Sequence, residues 1–138
     1  MLGYKSTMAN VDVNNSDMEL LSSNFKFHDF DVQVGEAKYF CEIIIMKNSF
    51  FLWIGESNDG KMNDLSFGFK SIYENTPIST KLMGSMDDTT SLNIAKRLTK
   101  KYEKPVYISF NAPVNNSILP KIEQGICEEL KNYPELLA

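Results

Sequence analysis

The sequence predicts an α+β domain: a mainly antiparallel sheet of about six strands, packed with two main helices. Six short runs either alternate apolar with polar residues or are apolar throughout, at strand length. The breaks after the first two, at Gly35-Glu36 and Asn48-Ser49, are short enough for hairpins, which join antiparallel neighbours. Two longer stretches, around 92–102 and 118–133, repeat apolar residues at helical spacing.

Taken in order, the first 24 residues are rich in Asn, Ser and Asp and hold no sustained period, beyond weak helix potential at 18–21. The expected division is a solvated, disordered tail over 1–22 and one domain over 23–138, the domain count expected of 138 residues. From His28 the chain reads as a strand. His28, Phe30, Val32 and Val34 point one way, and Asp29, Asp31 and Gln33 the other. Phe25 and Phe27 have the opposite parity, which suggests a bulge or a change of exposure.

The next two strands, YFCEIIIMK over 39–47 and FFLWI over 50–54, are apolar on both faces. Phe51 and Trp53 point one way; Phe50, Leu52 and Ile54 point the other. A strand at a protein surface would alternate, so this part of the sheet needs cover on both sides. A polar loop follows, with its turn at Asn58-Asp59-Gly60. Leu65, Phe67 and Phe69 then alternate with Ser66, Gly68 and Lys70 in a fourth strand.

Residues 76–111 form the best-defined unit. Pro77 opens a strand over 78–82, and Gly84-Ser85 ends it. Asp87, Asp88, Thr89 and Thr90 offer side-chain oxygens to a helix start. Leu92, Ile94, Ala95, Leu98 and Tyr102 make the apolar stripe of that helix. Lys96, Arg97, Lys100 and Lys101 fall opposite, toward the end where positive charge suits the helix dipole. Pro105 prevents simple continuation, and Val106, Ile108 and Phe110 alternate as the sixth strand. The two strands flanking the helix allow one parallel crossover, right-handed if both share the sheet. Ser117 or Asn116 is the expected cap of the last helix. Its stripe is Ile118, Leu119, Ile122, Ile126, Leu130 and Tyr133, Gly125 suggests close packing, and Pro134 ends it.

Composition narrows the function classes. The chain is 43% hydrophobic, which suits a packed core, and its net charge of −4 lacks the bulk electrostatic footprint of a nucleic-acid binder. No apolar run reaches the ~18 residues of a membrane span, and the first 20 residues hold no continuous apolar core of a secretory signal. The expected compartment is the cytoplasm or nucleus. Cys41 and Cys127 read as buried thiols in a reducing environment, without metal-ligand spacing.

Catalytic groups are sparse. His28 is the single histidine and lies on an apolar strand face, where a hydrogen-bonded structural role outweighs general-base work. No nucleophile elbow surrounds a serine. Gly84-Ser85 precedes a helix start, but Asp87 and Asp88 stand where a phosphate would go. No catalytic residue, metal ligand or cofactor is expected. The basic face of Lys96, Arg97, Lys100 and Lys101 is the candidate partner-binding surface, its plain alternative being an ordinary solvated helix face.

The ordered series ISTKLMG, DDTTS, the basic helix and PVYISFN resembles the proteasome assembly chaperone 4 family. FLWIG upstream, EELKNYPE downstream and His28-Asp29-Phe30 near the start fit the same pattern, so that the resemblance covers roughly 28–135. It implies a non-catalytic chaperone that pairs with a proteasome assembly chaperone 3-like subunit as a heterodimer. The pair would hold proteasome alpha-type subunits and promote assembly of the core-particle alpha ring. A homodimer is expected when the chain is alone, with no nucleic-acid or membrane partner. Two other readings stay open on the residues: a longin- or profilin-like adaptor, and a small hydrolase.

Overall fold

The computed structural model describes residues 25–113 and 115–137. The tail expected over 1–22 lies outside the described residues. Among the described residues, six strands and two helices follow one another as β1 (Lys26–Val34), β2 (Ala37–Ile45), β3 (Phe50–Gly55), β4 (Leu65–Lys70), β5 (Pro77–Met83), α1 (Thr90–Tyr102), β6 (Val106–Asn111) and α2 (Leu119–Asn132). A short 3₁₀ turn, Pro134–Leu136, closes the series.

The strands form a single sheet in the order β1-β2-β3-β6-β4-β5. Only β3 and β6 are parallel neighbours; the other pairs are antiparallel. The sheet is therefore mainly antiparallel, as expected. Since β4 is antiparallel to both β5 and β6, those two run parallel with β4 between them. The β5–α1–β6 segment is thus a crossover over β4, the unit anticipated from residues 76–111.

Both helices sit on one side of the sheet. Strand register carries Gly68 to Val106, Phe50, Ile45 and Lys26 in turn, so Gly68 shares a face with His28, Phe30 and Val32. A Cβ on Gly68 would lie 2.7 Å from the carbonyl oxygen of Ala95 in α1. A Cβ on Gly125 of α2 would lie 2.6 Å from Cγ1 of Val32. The two glycines are where the helices press closest on the sheet, and the close packing expected at Gly125 is present. Between helices and sheet lies the core, with Ile43, Phe50, Leu52, Ile54, Ile94, Ala95, Val106, Ile108, Ile122 and Ile126 all at 0% exposure.

Several local expectations change. β1 runs in unbroken register with β2 from Lys26, so no bulge separates Phe27 from His28; of the two expectations the change of exposure holds, with Phe27 42% exposed. The register shift of the sheet is instead at Leu65/Ser66. The buried side of α1 is Ser91, Ile94, Ala95, Leu98 and Thr99, rotated toward small residues because Gly68 leaves room for nothing larger; Leu92 is half-buried. Thr89 occupies the cap position without a side-chain bond, and Asp88 Oδ1 accepts the N–H of Thr90 at 3.0 Å. At α2 neither Ser117 nor Asn116 is the cap: Asn115 Oδ1 accepts the N–H groups of Ser117 and Ile118, each at 3.0 Å. Tyr133, expected in the stripe of α2, is 42% exposed because Pro134 turns the chain so that Leu136 is buried instead.

Candidate partner interface

Alternation of side chains along each strand sets the face opposite the helices. Phe27 of β1 stands beside Ile44 of β2, Ile44 beside Phe51 of β3, Phe51 beside Tyr107 of β6, and Tyr107 beside Phe67 of β4. One apolar row therefore crosses five adjacent strands. Phe69 and Ile78 face each other on the same side, and Leu82 adds a 53% exposed side chain at the β5 edge. Phe67 stacks on Tyr107 with ring centroids 4.5 Å apart and on Phe69 at 5.3 Å. Ile44, Phe51, Phe67, Phe69, Ile78 and Tyr107 are each half-buried. Neither α1 nor α2 reaches this face.

The neighbouring row is built differently. It reads Asp29, Glu42, Trp53, Ser109 from β1 to β6. Trp53 is 1% exposed because the loop over 56–64 folds across it, and its Nε1 donates to the Lys61 carbonyl at 2.9 Å. A Cβ on Gly55 would lie 2.5 Å from the indole, so glycine is required there for the tryptophan to lie flat. Ser109 Oγ donates to the Asp64 carbonyl at 2.6 Å, and the Asp64 carboxylate accepts from the Phe110 N–H at 3.3 Å and from Lys81. That carboxylate and ammonium form a buried pair, with side chains 10% and 1% exposed. Among the described residues, a loop covers the Trp53 row, and no helix or loop is laid over the Ile44-to-Phe67 row in the same way.

The basic residues singled out from the sequence lie on the other side of the molecule. Lys96, Arg97, Lys100 and Lys101 are all exposed on the outer surface of α1. They are not equivalent. Arg97 forms a bidentate pair with Glu123 of α2, its Nε 2.9 Å from each carboxylate oxygen, and so joins the two helices. The Lys101 ammonium lies 5.7 Å over the Tyr102 ring. This basic face lies away from the apolar row of the sheet. The apolar row itself was only half visible in the sequence. The signals were the opposite parity of Phe27 and the two-faced character of Phe50–Gly55, but a row across five strands needs strand order and register to be seen.

His28 holds α2 to β1. Its Nε2 lies 2.6 Å from Glu129 Oε2, and its ring centroid is 4.7 Å from that of Tyr133. Burial pushes the Cys41 thiol far above its ordinary value, with Asp31 and Glu129 adding to the effect, so it stays protonated and unreactive. Cys127 is half-buried, and both cysteines are free thiols. Among the described residues no three His, Cys, Asp or Glu side chains converge as a metal site.

The arrangement has relatives. The family model described as proteasome assembly chaperone 4 matches residues 38–112. Human proteasome assembly chaperone 4 is 31% identical over 109 residues, which span 78% of this chain and 87% of the human protein. The mouse protein of the same name is 29% identical over 114 residues, spanning 82% and 91% of the two chains. Among solved structures, a chain from a chaperone complex for yeast 20S proteasome assembly superposes with a TM-score of 0.53. It covers 82% of this chain and 94% of its own length at 13% identity, so that likeness concerns the fold.

Proposed function

As this chain belongs to the proteasome assembly chaperone 4 family, we propose that it is a non-catalytic assembly factor that works as half of a heterodimer. Its other half would be a related subunit of the proteasome assembly chaperone 3 kind. The pair would hold alpha-type subunits while the core-particle alpha ring forms, in the cytoplasm or nucleus, and then leave. The chaperone role follows from the family; the pairing and the ring are the reading argued here.

The observation that carries the pairing is the apolar row Ile44, Phe51, Tyr107, Phe67, on the sheet face away from both described helices. Soluble monomers rarely expose contiguous apolar patches beyond a few hundred Å², and aromatic side chains are enriched at the centres of protein interfaces. Two sheets packed face to face would bury such a row at a spacing of ~10 Å, the arrangement of sheet sandwiches. A related subunit of the same fold would offer a matching face. The exposed lysines of α1, on the helix side, would remain available to steer an acidic subunit toward the pair.

The test is reconstitution with purified components. The chain and its related subunit are mixed, then presented with alpha-type subunits, and ring intermediates are followed by native mass measurement. The expected result is a pair that binds alpha-type subunits and raises the yield of rings. A pair that forms but leaves ring yield unchanged refutes the assembly reading.

A further inference from the structure

The turn between β4 and β5 is longer than a hairpin requires. Six residues, 71–76, join strands that a two-residue turn could connect. Ile72 and Tyr73 at its tip are 90% and 88% exposed, far more than any other large apolar side chain of the described residues except Met86 at 72%. Neither packs on the core. The stem is nonetheless held: Pro77 is buried, Phe69 pairs with Ile78, and the Tyr73 N–H donates to Ser71 Oγ at 3.1 Å.

The tip stands beside positive charge. Lys70, at its base, reaches Glu103 just past the end of α1 with 3.6 Å between charged atoms. That contact puts the base of the turn at the same end of the molecule as the last turn of α1, which carries Lys100 and Lys101. The opposite end of the molecule, formed by the β3–β4 and β5–α1 loops, bears Glu56, Asp59, Asp87 and Asp88. Around the exposed Ile72–Tyr73 pair, this end of an acidic chain sets Lys70, Lys100, Lys101 and Lys104 against Glu74 and Glu103, a local excess of positive charge.

We propose that Ile72 and Tyr73 are an anchor for a second protein partner, distinct from the one on the sheet face: an acidic surface with an apolar pocket, which the tip enters while Lys70, Lys100 and Lys101 meet the surrounding carboxylates. An apolar anchor at the centre of a ring of charge is the usual layout of a binding hot spot, and tyrosine is favoured in it. Charge on the rim speeds encounter and the anchor sets the lifetime. This inference rests on the proposed function, under which the partner is an alpha-type subunit of the core particle.

The test uses the chain paired with its related subunit and purified alpha-type subunits as the probe. The double variant Ile72→Ser/Tyr73→Ser is compared with wild type in three readings: affinity of the pair, melting temperature, and affinity for alpha-type subunits. The expected outcome is unchanged pairing and melting, with alpha-type subunit binding weakened about tenfold or more, mainly through faster dissociation. A Lys100→Glu/Lys101→Glu variant should slow association, most at low salt. If the double variant binds alpha-type subunits as wild type does, or loses pairing to the same degree, the anchor is refuted while the proposed function stands. If the wild-type pair binds no alpha-type subunit, both fail.

Discussion

Gly125 and Val32 are in such close approach that a Cβ on the glycine would lie 2.6 Å from one valine methyl and 3.0 Å from the other. The branched valine has no long chain to swing aside, and it sits in β1 beneath α2. Alanine at 125 would gain about 1 kcal/mol of helix propensity. Overpacking of this kind costs about 1–3 kcal/mol, so the net effect of Gly125→Ala should be a loss of stability. Chemical denaturation should show that loss, and Val32→Ala should rescue part of it in the double variant.

The buried Lys81–Asp64 pair joins β5 to the loop that covers Trp53. Breaking a buried pair by removing one partner costs about 3–5 kcal/mol, because the other charge is left uncompensated. Lys81→Met should therefore be severely destabilising. Adding Asp64→Asn removes the stranded charge and keeps an acceptor for the Phe110 N–H. The double variant should be more stable than Lys81→Met alone, as measured by urea unfolding.

Asp88 predicts a pH dependence at the start of α1. The Thr90 N–H, aided by the Thr90 hydroxyl and Lys81, holds its carboxyl below the ordinary value of 3.8. A carboxyl with a lowered folded value stabilises above its unfolded value, and that contribution is lost as pH falls through the folded one. Asp88→Ala should cost about 1 kcal/mol at neutral pH. The gap between wild type and variant should narrow as pH drops below 3.8 and close once the carboxyl is protonated.

Arg97 belongs to the basic face of α1, and its pairing with Glu123 sets it apart from the three lysines there. Arg97→Glu places two carboxylates together between α1 and α2 and should cost about 1 kcal/mol. Lys100→Glu, at a position without such a bridge, should stay within ~0.5 kcal/mol. Glu123→Arg should restore the stability of Arg97→Glu by reversing the pair, a result that thermal melts can resolve.

Much of this architecture is legible in the chain because local signals agree there. Strand parity in β2 and β3, the turn residues before α1, and Pro105 and Pro134 all act within a few residues of the features they cause. Gly125 also announced its close contact, since an interior helical glycine is costly unless something needs the room. What the chain concealed depends on long-range register. The stripe of α1 turned toward Ser91 and Thr99 because Gly68, on a distant strand, draws the helix backbone in. The apolar row exists because β6 inserts between β3 and β4, bringing Tyr107 between Phe51 and Phe67. The basic residues were noticed because charge on a helix is periodic. Ile72 and Tyr73 were not, because two apolar residues in a turn look the same whether they fold inward or protrude.

The sheet face opposite α1 and α2 is where the related subunit is proposed to bind. The most direct test is the affinity of that subunit for Phe67→Lys, measured by calorimetry alongside wild type. Phe67 is half-buried between Tyr107 and Phe69, so a lysine there can reach water while its charge interrupts the apolar row. The account predicts a folded variant whose affinity for the subunit falls about thirtyfold or more. Wild-type affinity in a folded Phe67→Lys protein would contradict it and move the pairing surface elsewhere on the molecule.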